Sequence, residues 1–356
     1  MLTQNARTLD ATDARLLDLI QQEVPLVERP YQQIAERLGL GEEDVLARLR
    51  ALKSGPRPVV RQISAIFDSA SLGYQSTLVA AKVDEARIGD AAAVINRHPG
   101  VSHNYRRTNA YNLWYTLAVP PDSRLGLQGT VDVLHRQSGA AVMRLMPTLR
   151  LFKIGVRLKI SGEEGGAASQ TARPGFTDEH RRQGSSFSLT EADKPLIRVL
   201  QQDLPIEPRP FDDWAAEEGV SVGALLEAAK MYESRRWMRR FSAVLRHREV
   251  GFTANAMGVW KVPQGREEEF GKKAATFDAV SHCYLRPTYP DWAYNLFTMI
   301  HGPTEDACRA VLRAISEATG VTEYDALYST HEYKKIRVKY FTGDIEAWES
   351  ANAAEC

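Results

Sequence analysis

The 356-residue sequence is poor in cysteine, with only Cys283, Cys308 and Cys356. No two of them form a CxxC pair, so their spacing offers no zinc or cluster site, and so low a thiol content fits a reducing compartment. Long apolar runs are also missing. No stretch approaches the roughly 18 apolar residues of a membrane helix, and the opening MLTQNARTLDATDARLL lacks the apolar core of a signal peptide. A cytoplasmic, non-membrane protein is expected. Nor is there an excess of charge: 45 basic residues balance 45 acidic ones, which argues against an affinity built on neutralising phosphates. Glycine (24) and proline (17) are ordinary and 44% of residues are hydrophobic, so collagen-like, coiled-coil and disordered classes are excluded and a full apolar core is available.

What the chain does have is self-similarity, the feature that decides its architecture. LIQQEVPLVERPYQQIAERLGL from Leu19 aligns with VLQQDLPIEPRPFDDWAAEEGV from Val199. Gln21-Gln22, Pro25, Arg29-Pro30 and Gly39 meet Gln201-Gln202, Pro205, Arg209-Pro210 and Gly219. Further on, VSHNYRR from Val101 matches VSHCYLR from Val280, and Tyr111-Asn112-Leu113-Trp114 matches Tyr294-Asn295-Leu296-Phe297. The drift in spacing marks extra residues around Pro287 to Trp292. The chain is a tandem duplication.

Each copy begins with short amphipathic helices around a glycine turn, the pattern of a helix-turn-helix. Thr12 is the expected cap of the first helix, and Thr190, with Asp193 three residues on, opens the equivalent segment. Each copy continues as β-α-β-β-α-β, the ferredoxin-like order, with a last strand of the first copy expected through Leu145 to Leu158. The fold class is therefore α+β, a tandem repeat of helix-turn-helix and ferredoxin-like domains. The expected boundaries are 1–72 and 73–160 for the first copy, a flexible linker at 161–186 rich in Gly, Ser and charge, 187–250 and 251–345 for the second copy, and a tail at 346–356.

This order resembles the layout of the leucine-responsive/AsnC regulators, and one reading is a DNA-binding regulator, possibly tetrapyrrole-sensing. A recognition helix should offer basic or amide side chains to the major groove. The first copy instead leads with Glu42, Glu43 and Asp44, and the second with an apolar end, SVGALL. DNA binding is not expected, and these helices read as packing and pairing elements.

The sheet segments are more distinctive. His103, Tyr105 and Arg107 alternate along one strand, as do His282, Tyr284 and Arg286, so each trio shares a face. Three polar residues would be costly to bury there as ordinary core, and such a face suits an anionic ligand that arginine can hold. The copies have also diverged. Arg246, His247 and Arg248 stand where the first copy has Asp68, Ser69 and Ala70, and His301 stands opposite Ala118. Arginines at 235, 236, 239, 240, 246 and 248 interleave with Trp237, Phe241 and Leu245, as a half-buried lining would. His98, His135 and His180 read as ordinary surface residues, and His331, near Lys334 and Lys335, as part of a solvated face.

VSHNYRRTNAYNLWYTLAV, RRFSAVLRHREVGFTANAMGVWKVP and VSHCYLRPTYPDWAYNLFTMIHG resemble the motifs of siroheme decarboxylases, over about residues 10 to 345. That resemblance implies a carboxy-lyase that removes the acetate carboxylates at carbons 12 and 18 of siroheme in haem d1 or alternative haem biosynthesis. It implies no organic cofactor and no protein metal, since the iron comes with the substrate. Siroheme and didecarboxysiroheme are then the partners, and the two copies pair as a pseudo-dimer within one chain, with homodimerisation open. In this reading His282, His247, His103 and Tyr284 are catalytic, with His282 or His247 able to contact the substrate iron. Arg240, Arg246, Arg248, Arg286, Arg107, Tyr105, Tyr111, Tyr294 and Trp237 bind the macrocycle and its carboxylates.

Overall fold

The computed structural model describes residues 9–56, 58–154, 176–246 and 254–352. In chain order the first copy contributes α1 (Ala11–Gln22), α2 (Pro30–Leu38), α3 (Glu42–Lys53), β1 (Val60–Phe67), β2 (Gln75–Lys82), α4 (Ile88–Asn96), β3 (Val101–Arg107), β4 (Leu113–Val119), α5 (Gly126–Ser138), β5 (Val142–Pro147) and β6 (Arg150–Ile154). Then come α6 (Asp178–Ser185), α7 (Asp193–Leu200), α8 (Asp212–Glu217), α9 (Val222–Ser234), β7 (Met238–Leu245), β8 (Ala254–Trp260), α10 (Glu267–Ala275), β9 (Val280–Leu285), β10 (Leu296–Gly302), α11 (Glu305–Thr319), β11 (Tyr324–Lys335) and α12 (Asp344–Asn352). They form two units, one built on the helix-turn-helix segments and one on the ferredoxin-like segments of both copies.

In the helical unit, Asp10 rather than Thr12 caps α1, accepting from the Asp13 amide at 2.6 Å; a carboxylate there also complements the helix dipole. Gly39 (φ 71°) lets the chain turn out of α2 in the left-handed region that suits glycine. Thr190 and Asp193 do open the second copy's helices, the Asp193 carboxylate accepting from both the Thr190 amide (2.8 Å) and its hydroxyl (2.6 Å). The copies are joined by the antiparallel pair β1–β7, with Ile63 opposite Ala243 and Ser64 opposite Ser242. Reciprocal bonds extend that pairing: Val24 N–H donates to Phe241 O, and Leu204 N–H to Ile63 O. Residues 178–185 of the segment expected as a linker form α6. It has no apolar stripe of its own. Tertiary contacts hold it, with the Trp237 indole N–H on Gly184 O (3.0 Å) and Arg181 on the buried Asp68 carboxylate (3.1 Å).

In the sheet unit the strand order is β5-β2-β4-β3-β11-β8-β10-β9-β6. Each copy gives the end of its last strand to the other. β5 pairs with β2 of its own copy, the chain bends at Thr148-Leu149, and β6 pairs with β9 of the second copy. Reciprocally, Tyr324–Tyr328 of β11 pairs with β8 and Ser329–Lys335 pairs with β3 of the first copy. The single strand expected through 145–158 is thus two strands on different partners, and 155–158 lies outside the described residues. Helices α4 and α5 cover one half over Val79, Ala91, Ile95 and Leu134, and α10 and α11 cover the other over Phe270, Ala274, Leu312 and Ile315. A third cluster joins the halves, setting Tyr111, Trp114 and Met146 of the first copy against Met257, Trp292, Phe297 and Leu327 of the second. Most of the expected tail is helix α12, whose buried Glu349 accepts from the Arg124 amide at 3.0 Å.

Candidate functional site: paired histidine faces on the exchanged sheet

The register places the two polar trios equivalently. In β3, Val101 pairs with Leu117 but His103 with Thr116, leaving Ser102 as an extra residue. In β9, Val280 pairs with Ile300 and His282 with Met299, leaving Ser281 extra. A β-bulge re-aims the side chain beside it and is common next to active sites. Both bulges sit directly before a histidine. Their serines also hold the rings: Ser102 Oγ lies 2.9 Å from His103 Nδ1, and Ser281 Oγ 2.8 Å from His282 Nδ1. Engaging one imidazole nitrogen fixes the ring and sets the role of the other.

Along each strand the trio continues as a stack. The His103 and Tyr105 rings are 6.2 Å apart at 27°, and those of His282 and Tyr284 are 6.0 Å apart at 26°. Arg107 then lies 5.4 Å over Tyr105, and Arg286 4.7 Å over Tyr284. The intervening Asn104 and Cys283 point the other way, toward Ala92 O and Gly271 O, so each trio does share one face.

The two arginines are buried and bonded to the protein. Arg107 and Arg286 are only 6% and 7% exposed. Arg107 donates to Leu327 O at 2.9 Å, and Arg286 to Met146 O. Each braces a carbonyl of the other copy close to the bend where a strand changes partner. Burial lowers the Arg107 pKa to about 10.

Tyr111 and Tyr294 belong to the aromatic cluster between the halves. Tyr111 is buried, donates to Asp291 at 2.7 Å and packs on Trp292, and Tyr294 lies 5.2 Å from the same indole. Burial, then the Asp291 bond, raises the Tyr111 pKa to about 12, while that bond and those from Lys82 and Arg144 hold Asp291 down at about 2. The extra residues of the second copy therefore clamp it to the first.

Arg240, Arg246 and Trp237 are carried by the helical unit. Trp237 is fully buried against Tyr232, with its N–H spent on Gly184 O; it packs that unit instead of offering a ring to a ligand. Arg240 is half-buried on β7, opposite Ile66, and Arg246 is exposed. His247 and Arg248 lie outside the described residues. Of the histidines set aside, His331 is exposed and His135 caps Ala140 O at 2.8 Å. His98 is not a surface residue: it is fully buried, accepts from the Gly100 amide at 3.0 Å and lies 4.4 Å from the Trp348 ring. Burial lowers its pKa to about 3.

Residues 71–153 and 249–334 match the model of the AsnC-like ligand binding domain. Residues 13–55 and 193–239 match that of the siroheme decarboxylase NirDL-like HTH domain. A siroheme decarboxylase of Hydrogenobacter thermophilus is 37% identical over 334 residues, 94% of this chain and 96% of that protein.

The chain belongs to the siroheme decarboxylase family.

A siroheme decarboxylase NirDL subunit of Paracoccus denitrificans is 32% identical over 92% of this chain and 97% of its own length. A crystal structure of the siroheme decarboxylase NirDL superposes with a TM-score of 0.73 at 34% identity, covering 97% of this chain and 99% of that one. Another was solved in complex with an iron-uroporphyrin III analogue and matches with a TM-score of 0.72. Family members also occur as separate alpha and beta subunits, as in Desulfovibrio desulfuricans, where the alpha subunit matches 44% of this chain. The duplication in this chain fits two such related subunits in tandem. The sheet carries two equivalent histidine faces, and Trp114 and Phe297 of the aromatic cluster pair with Tyr105 and Tyr284 on them. Among the described residues no group of His, Cys, Asp and Glu is arranged to hold a metal ion, and no helix is long and apolar enough to cross a membrane.

Proposed function

We propose that this protein is a carboxy-lyase acting on siroheme, removing the acetate carboxylates at carbons 12 and 18 to give 12,18-didecarboxysiroheme and two CO2. The observation that carries the reading is 37% identity to a siroheme decarboxylase along 94% of the chain. It is supported by a doubled, bulge-presented His-Tyr face on the same sheet.

In each loss the bond between the acetate CH2 and its carboxylate breaks, and CO2 leaves. The electron pair is accepted by the electron-poor macrocycle, and a proton delivered to the CH2 completes a methyl group. The protein must hold an anionic macrocycle, exclude water at the leaving carboxylate and supply that proton. His282, oriented by Ser281, is assigned as the leading proton donor, with Tyr284 as a hydrogen-bond partner of the reacting carboxylate and His103 and Tyr105 as first-copy counterparts. His247 remains a second candidate, and Arg240, Arg246 and Arg248 are assigned as carboxylate anchors. The iron belongs to the substrate, and this scheme uses no organic cofactor.

Anaerobic titration with siroheme tests the assignment when the pigment is then weighed by mass spectrometry. A shifted Soret band followed by loss of two CO2 masses is expected. A shifted band with unchanged pigment mass would leave a tetrapyrrole-binding regulator, and no shift together with salt-sensitive binding to one DNA sequence would overturn the enzyme reading.

A further inference from the structure

The serine before each histidine has one hydroxyl proton to give, and the two copies place different acceptors around it. In the second copy, Ser281 Oγ lies 2.8 Å from His282 Nδ1 and donates to the Met299 carbonyl at 3.1 Å. Met299 is the cross-strand partner of His282, and the ladder is locally disrupted at the bulge, where a side chain reaches that carbonyl. Ser281 is only 5% exposed, so little water competes for these bonds. A carbonyl only accepts, so the hydroxyl proton goes to Met299 O. The contact with the ring then takes its proton from Nδ1. Turning the hydroxyl toward the ring would satisfy Nδ1 at the expense of Met299 O. The chain from Nδ1–H to Ser281 Oγ, and from its O–H to Met299 O, satisfies all three groups, and such linked bonds strengthen one another.

The first copy differs at the partner position, where Thr116 stands in place of Met299. Thr116 Oγ1 accepts from the His103 amide at 3.1 Å and lies 2.7 Å from Ser102 Oγ, itself 2.9 Å from His103 Nδ1. With Thr116 donating to Ser102, or Ser102 to Thr116, the serine serves His103 as donor or as acceptor. The tautomer is open in the first copy and fixed in the second.

A ring with its proton on Nδ1 gains its second proton on Nε2. We propose that Ser281 is a positioning residue that, through Met299 O, keeps a proton on Nδ1 of His282, so that the proton given to the substrate is the one on Nε2 of the imidazolium. The proposal rests on His282 being the proton donor to siroheme. As the bond from the acetate CH2 to its carboxylate breaks and CO2 leaves, the electron pair passes into the macrocycle and returns to form a C–H bond with the Nε2 proton. His282 is left neutral with Nδ1–H unchanged, and water restores the Nε2 proton before another turnover. Because Oγ accepts from Nδ1 in both states, no hydroxyl turns during the transfer, and the site is preorganised for it.

The full chain labelled with 15N-histidine supplies the first reading, without pigment and above about pH 8, where an ordinary imidazole is neutral. The signals lost in His282→Ala identify His282. Its Nδ1 is expected at the shift of a protonated ring nitrogen and its Nε2 at that of an unprotonated one, and Ser281→Ala is expected to erase that preference. With siroheme, Ser281→Ala should keep the Soret shift and its half-saturation but slow CO2 release by about tenfold or more, the weight of a hydrogen bond to a charged group. Ser281→Thr, which keeps the hydroxyl, should recover most of the rate. The opposite tautomer in the unsubstituted chain would overturn the proposal, and so would a Ser281→Ala rate within about twofold. A slower Ser281→Ala with unmoved His282 signals, or with its Soret shift lost, would also overturn it, since the serine would then serve only the strand. Failure of the substrate assignment looks different: the unsubstituted chain would release no CO2 while the nitrogen shifts kept the stated pattern.

Discussion

At the scale of single residues, the central group is an imidazole held by a neighbouring serine at a strand irregularity. His282→Ala is expected to retain the Soret shift but to lower decarboxylation by about a hundredfold, the usual weight of a general acid; pigment mass against time checks it, and an unchanged rate would remove His282 from the reaction. A second prediction concerns the buried His98. Its pKa falls from the ordinary 6.5 to about 3 because burial penalises the charged ring. The unfolded chain therefore takes up a proton between those values that the folded chain refuses. Stability from this group is complete above pH 6.5 and is lost as the pH falls toward 3. Urea unfolding of the native chain and of His98→Gln between pH 7 and 4 should show a shallower acid decline in the variant. The His-Tyr-Arg alternation was legible because period-2 spacing fixes which side chains share a face. The burial of His98 was not, since only the docking of α12 brings Trp348 onto it. The bonds of Arg107 and Arg286 were hidden for a similar reason: their partners are carbonyls of the other copy, which no local pattern reveals.

At the scale of elements, helix-turn-helix segments and the β-α-β-β-α-β order could be read from amphipathic periods and glycine turns, which are local. The division of β5 from β6 could not, because the register of a strand depends on a partner distant in sequence, and apolar alternation runs on through Thr148-Leu149. Helix α6 escaped notice because its order comes from Trp237 and Asp68 and not from an apolar stripe. Close approach at the strand entries gives a prediction of its own. A Cβ on Gly100 would stand 2.0 Å from Ala118 O. Gly100→Ala is therefore expected to destabilise the protein by about 1–3 kcal/mol, the range for forced overpacking, read as a lowered urea midpoint. An unchanged midpoint would show that the β3–β4 entry yields easily.

At the scale of the whole molecule, duplication was visible from the first alignment of Gln21-Gln22 with Gln201-Gln202, and its consequence is reciprocal exchange. Each half lends a strand to the other, and the helical unit repeats the device through β1 and β7. Residues 1–175 and 176–356, co-expressed as separate chains, are accordingly expected to co-purify as a one-to-one complex that retains decarboxylation; independent elution in size-exclusion chromatography would contradict the exchange. Uneven specialisation of the copies then explains why a charge-balanced chain on a regulator-like layout can serve chemistry. The most direct test of that claim is the amount of CO2 released per siroheme by the intact chain under anaerobic conditions. Two CO2 per siroheme are expected, formed together with a doubly decarboxylated pigment. Release of none, with siroheme bound and unchanged, would contradict the claim.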